Sequence, residues 1–179
     1  DVQLTGISHD ALLTLNKRAG TSEIYELTNT DNFNPVNFEA GFMAGDKNPA
    51  IWDAETGSVT SPCIYTQQKG TTWLPVTLRP KQSLFYVFTT GAGLKRHIQT
   101  IQDQAGHTLF PSADEHVGPS PVANLGANGE LTISDPRGGA YRMSANEGKL
   151  IDVNMKPAQN DIITTASDIQ LESEPAVKV

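Results

Sequence analysis

The sequence holds a single cysteine, Cys63, in 179 residues. An internal disulfide is therefore ruled out, and neither an oxidising nor a reducing compartment is implied. Charge is also scarce: 18% of residues are Asp, Glu, Lys or Arg, against about 25% in an ordinary globular chain. Positive charge is scarcer still, with 13 Lys and Arg against 20 Asp and Glu and a formal net charge of −7. A nucleic-acid interface needs a basic stripe, so nucleic acid is not an expected partner. No apolar run approaches the ~20 residues of a membrane-spanning helix, and no membrane partner is expected. The chain is too short for a complete (β/α)8 barrel, which takes about 250 residues. Neither a start Met nor a signal-peptide pattern precedes Asp1, an opening that fits a mature protein or an excised fragment.

Neutral polar residues fill the gap left by charge: 18 Thr, 11 Asn, 11 Ser and 9 Gln. Thr suits a pleated, half-buried surface, while Asn, Ser, Gly and Pro suit turns. With 15 Gly and 11 Pro besides, the composition favours short strands joined by many turns. The first half alternates with period 2. Val36, Phe38, Ala40 and Phe42 share one face, with Asn37, Glu39 and Gly41 on the other. Leu13 and Leu15 share a face, as do Tyr25 and Leu27, and Leu74, Val76 and Leu78 point inward together. In Ser83–Thr89 both faces are apolar, which predicts a central strand covered on each side. Asp53–Gly57 has turn composition, with Gly57 free to take the positive φ of a hairpin bulge.

These signals predict an all-β fold, an antiparallel β-sandwich of jelly-roll or immunoglobulin-like type, with room for a second small sheet. The expected organisation is a sandwich over residues 1–92 and an irregular, loop-rich segment over 93–130. Strands over 131–166 then complete the sandwich or form the second sheet, and 167–179 is a loose tail. Ile98 and Ile101 could add one strand to the irregular segment, and a short helical turn is possible near Pro111–Glu115.

The run Leu13–Asn29, LTLNKRAGTSEIYELTN, resembles the entry of the β-sandwich that follows the catalytic barrel in large bacterial α-L-rhamnosidases and related multidomain glycoside hydrolases. NPAIWDAETGSVT (48–60) is similar to a hairpin of that family, VTLRPKQSLFYVF (76–88) to its closing strand pair, and GGAYRMSANEGKLIDVNM (138–155) to its later strands. The order and spacing of these motifs carry the resemblance across most of residues 11–155, apart from 91–130. It implies an accessory domain beside a catalytic domain and a secreted or periplasmic location. The family's catalytic carboxylates lie on the barrel, upstream of these motifs, so none maps onto this chain.

The residues themselves offer no catalytic centre. A glycosidase needs two carboxylates facing each other across the scissile bond, and Asp53 with Glu55 fits a turn better. His107 and His116, near Asp103, Asp114 and Glu115, lack the tight spacing of a zinc site. No cofactor or metal is implied, with a structural calcium ion left open. Sugar binding asks for aromatic rings against pyranose C–H faces and for polar side chains to meet hydroxyls. By alternation Trp73 lies opposite Leu74, Val76 and Leu78, on a polar face with Thr71, Thr77 and Arg79. It is a stacking residue there, or it is covered by another element. Trp52, in the hairpin, has the same two readings, with packing favoured. Tyr65, Gln67 and Arg79 complete the candidate carbohydrate-binding set. The expected function is a non-catalytic carbohydrate-binding module whose partners are a glycan and a parent enzyme's catalytic domain. The alternative is a structural sandwich that packs on that domain.

Overall fold

A computed structural model describes residues 2–7, 12–91, 93–94, 97–112, 121–126, 131–134, 139–146, 148, 150–155 and 161–163. All regular structure among them is strand. A four-stranded sheet runs in the order β1 (Val2–Thr5), β4 (Val36–Phe42), β8 (Thr71–Leu78), β7 (Thr66–Gln68). An eight-stranded sheet runs β16 (Asp161–Ile163), β13 (Leu131–Ser134), β12 (Val122–Gly126), β6 (Ser58–Pro62), β5 (Asn48–Asp53), β9 (Ser83–Thr89), β3 (Ser22–Asn29), β2 (Leu12–Ala19). A second four-stranded sheet runs β11 (Thr108–Phe110), β10 (Ile98–Asp103), β14 (Gly139–Ala145), β15 (Leu150–Met155). The ladders are antiparallel, and the fold is the all-β sandwich that the composition and periodicity predict.

The long sheet spans two cores. In the first, Tyr25 and Leu27 of β3, Ile51 of β5 and Leu84, Tyr86 and Phe88 of β9 meet Phe38, Ala40 and Phe42 of β4 and Leu74, Val76 and Leu78 of β8. Four aromatics cluster at its centre. Phe42 sits 5.1 Å from Tyr25, Tyr86 and Phe88, and Tyr25 is edge-on to Phe88 at 5.7 Å. These separations and tilts are those that aromatic quadrupoles favour. The second core joins Cys63, Ile64, Ile98, Ile101, Leu109, Phe110, Ala123, Leu125, Tyr141 and Met143. The chain passes between cores at Cys63–Tyr65, where it leaves β6 for β7.

One expectation changes. Residues 93–130 are not loop throughout, because β10, β11 and β12 lie within them. Their period was hidden. A register shift between Ile98 and Thr100 places the buried residues of β10 at Ile98 and Ile101, three apart rather than two. Of the strands over 131–166, β13 and β16 lie in the long sheet beyond β12, while β14 and β15 join β10 and β11 in a sheet of their own. β9 is central between β3 and β5, as its two apolar faces predict; on its outer side Val87 is buried and Phe85 half-buried. Residues 113–115 of the possible helical turn, the tail 167–179, His9 and His116 lie outside the described residues.

The turns follow their chemistry. Gly57 takes φ 71°, and its amide donates to the Asp53 carbonyl at 2.8 Å. Asp53 Oδ1 accepts from the amides of Glu55 at 2.9 Å and Thr56 at 3.3 Å. That carboxylate organises a hairpin.

Candidate functional site

The outer face of the first four-stranded sheet is where an aromatic ring and polar side chains come together. Alternation along β8 sends Leu74, Val76 and Leu78 into the core and leaves Trp73, Pro75 and Thr77 on the opposite side. In β4 the outer positions are Asn37, Glu39 and Gly41. The register sets Asn37 opposite Thr77, Glu39 opposite Pro75 and Gly41 opposite Trp73. On the other flank, β1 places Gln3 opposite Gly41 and Thr5 opposite Glu39.

Trp73 owes its position to Gly41. A β-carbon built on Gly41 would stand 2.8 Å from Cε2 and Cζ2 of the indole and 2.9 Å from Cη2, so the benzo ring fills the space that any other residue's side chain would need. The ring is half-buried, seated on the backbone and still reaching solvent. Four residues further along β8 on the same face, Thr77 Oγ1 donates to Asn37 Oδ1 at 2.7 Å, which orients the amide. Glu39 is buried at 6% exposure. Its two carboxylate oxygens accept the Ser112 amide at 3.0 and 2.9 Å, tying β4 to the segment that follows β11. The resulting strip carries an apolar ring face at one end and an oriented amide and hydroxyl at the other, with the Glu39 carboxylate buried between them.

The five residues singled out from the sequence do not converge. Trp73 is on this strip. Gln67 lies opposite Thr72 and so on the other side of the sheet; its Nε2 donates to the Lys47 carbonyl at 2.9 Å and to Thr72 Oγ1 at 3.3 Å. Tyr65 is 3% exposed, in the first core, with its ring stacked on His97 at 3.8 Å, and has no face to offer a surface ligand. Arg79 lies just past β8, exposed, 3.8 Å from Glu55. Trp52 is 47% exposed rather than packed. It stands on the outer face of the long sheet, opposite Phe85 on one side and Val59 on the other.

That second face differs in kind. Across it the register aligns Leu15, Glu26, Phe85, Trp52 and Val59 in one row. Leu13, Leu15, Trp52 and Val59 are all about half exposed, between 47% and 54%. The strip around Trp73 is mostly polar, whereas the row around Trp52 is mostly apolar.

Sequence reasoning placed Glu39 and Gly41 on the outer side of their strand but not beside Trp73. Their proximity depends on the register between β4 and β8, some thirty residues apart in the chain, for which no local signal exists. The histidine–acid cluster reduces to one pair among the described residues, His107 Nδ1 at 2.9 Å from Asp103 Oδ2. That hydrogen bond is the main reason the Asp103 carboxyl lies below its usual range. No group of three or more metal-ligating side chains occurs among the described residues. Burial pushes the Cys63 thiol up to about 12, so it is an inert core residue.

No known family profile matches the chain, and no curated protein does. Among solved structures, a rhamnosidase from Novosphingobium sp. PP1Y is similar to it at 23% identity and a TM-score of 0.45. The overlap takes in 69% of this chain and 14% of the rhamnosidase, so the chain spans a small part of that protein's length. A likeness at this level assigns neither family nor activity.

Proposed function

We propose that this chain is a non-catalytic carbohydrate-binding module and that its glycan stacks on Trp73. The observation that carries the reading is the seating of a half-buried indole on Gly41, at one end of an outer strip that continues through Glu39 to the Asn37–Thr77 pair. Backbone support fixes the ring before a ligand arrives, which lowers the ordering cost of binding. A pyranose C–H face then lies on the ring, and hydroxyls of a neighbouring sugar unit meet the amide and hydroxyl further along the strip. The affinity is modest, because an open sheet face displaces well-bonded water and buries little area. The motif resemblance to rhamnosidase-type glycoside hydrolases accords with this reading, with a parent catalytic domain as partner and a secreted or periplasmic setting.

The test is a titration of the folded chain with rhamnose-rich and other plant and algal polysaccharides, followed by Trp emission. A saturable shift that Trp73→Ala abolishes and Trp52→Ala retains is expected. Saturable binding that survives Trp73→Ala would place the ligand elsewhere.

The row around Trp52 favours a second reading, a structural module that packs on a catalytic domain. Exposed apolar surface of this kind is what a protein-docking face presents. The two readings use opposite faces of the sandwich and can be separated by the same two variants. If no glycan shifts either tryptophan, docking through Trp52 becomes the leading function.

A further inference from the structure

His97 is a buried polar side chain, 8% exposed, whose two ring nitrogens, Nδ1 and Nε2, the fold leaves without partners among the described residues. Buried polar atoms are nearly always satisfied, and leaving one bare has a real cost. What the ring does have is a stack: it lies on Tyr65 with centroids 3.8 Å apart and planes 10° from parallel.

The stack stands at the seam between the two cores. Tyr65 belongs to the first core, while Cys63, Ile64 and Ile98, its neighbours and those of His97, belong to the second. Few backbone bonds close this seam. Ile98 N donates to the Cys63 carbonyl at 2.7 Å and Tyr65 N to the Ile98 carbonyl at 3.0 Å, around the parallel bridge of Ile64 with Ile98. On the far side, Asn146 N donates to the His97 carbonyl at 3.0 Å and Asn146 Oδ1 accepts from His97 N at 3.3 Å.

We infer that the His97–Tyr65 stack is an acid-sensitive latch between the two cores, closed while the imidazole is neutral and opened by its protonation. A neutral ring stacks on a phenol without needing partners. An imidazolium in the same place would carry two N–H donors and a charge that no described residue receives. Among the described residues, the titratable groups beside it are Tyr65, on which it stacks, and Cys63 in the crossing segment; both are pushed up to about 12 and stay neutral through the acid range. Asn146, from the turn after β14, is uncharged. Desolvation is the one cause acting on His97, and it takes the ring from 6.5 down to about 4.

The sign follows from that direction. Above 6.5 both the open and closed forms carry a neutral ring and the latch holds fully. As pH falls from 6.5 to about 4, only the open form takes up the proton, and opening becomes about tenfold easier per pH unit. Below that value the closed form is protonated too, and the loss levels off.

The experiment uses the full chain, with histidine imidazole NMR and amide exchange expressed as protection factors between pH 7 and 4. The expected result is a His97 midpoint near 4 and a loss of roughly two orders of magnitude in protection at the Tyr65 and Ile98 amides. The amides of β3 and β9, in the first core, keep their protection. His97→Phe retains a stacking ring without nitrogens and is expected to flatten the pH dependence at Tyr65 and Ile98. A His97 midpoint near 6.5 overturns the latch, as does protection lost in step across both cores. Unchanged pH dependence in a folded His97→Phe chain does the same. The wild-type measurements decide the matter even if that variant does not fold.

Discussion

The benzo ring of Trp73 occupies the space where Gly41 would otherwise carry a β-carbon, with three ring atoms within 2.9 Å of that position. Gly41 is ordinary strand backbone, without a positive φ, so the glycine is there for room. Gly41→Ala forces the indole off its seat, at a cost of about 1–3 kcal/mol from overpacking. The expected signs are a lowered denaturant midpoint and a shift in Trp73 emission in a Trp52→Phe background. An alanine variant with unchanged emission would mean that the ring is not held by this contact.

Asn29 is wholly buried and spends its side chain on one junction. Its Nδ2 donates to the Asn34 carbonyl at 2.9 Å, the Arg79 carbonyl at 3.0 Å and the Leu78 carbonyl at 3.3 Å, and Oδ1 accepts from Asp31 N at 3.0 Å. Asn29→Ala strands these groups, and a loss of about 2–3 kcal/mol in chemical denaturation is expected. Asn29→Asp is expected to be as harmful, because a carboxylate cannot donate to carbonyls.

Glu23 is buried in the same inner row as Tyr25 and Leu27 and is reached by Arg18 at 2.7 Å and Lys47 at 3.2 Å. The Arg18 hydrogen bond leads in holding its carboxyl below the ordinary 4.5, desolvation opposes it, and the Lys47 bond adds to it. A depressed value stabilises the fold above 4.5, and that stability is lost as pH falls through the depressed one. Glu23→Gln should therefore cost about 1 kcal/mol at pH 7 and nearly nothing near pH 2. Equal losses at both pH values would show that packing, not charge, is at stake.

Two tryptophans make a clean accessibility experiment, since each can be removed to leave the other. Iodide or acrylamide should quench Trp52, 47% exposed, more strongly than the half-buried Trp73. Trp52→Ser on the outer sheet face should change stability by no more than about 0.5 kcal/mol. Weak quenching of Trp52 that strengthens on dilution would reveal chains associating through the apolar row.

Much of the first core is legible from alternation, because a strand with one wet face writes its burial pattern into every second residue. Phe38, Ala40, Phe42, Leu74, Val76 and Leu78 all lie inside as the periodicity says. Leu13 and Leu15 do not, at 50% and 54% exposed. They occupy the outer face of edge strand β2, where alternation reports two faces but not which one meets a core. Trp52 misleads for the same reason. Tyr65, beside Gln67 and Gln68, reads equally as a stacking or a packing aromatic; it is buried where the chain changes sheets, a place with no periodicity to decide between the two.

The sequence alone therefore determines the strand-rich class, the two faces of each regular strand and the turn at Gly57, all products of forces acting within a few residues. Tertiary structure decides which strands pair and in what register, and so whether a given face is covered. Trp73 meets Gly41, Glu39 meets Ser112 and Tyr65 meets His97 through contacts between segments some thirty or more residues apart. Burial and pairing across such distances depend on the collapse of the whole chain, and no local pattern encodes them.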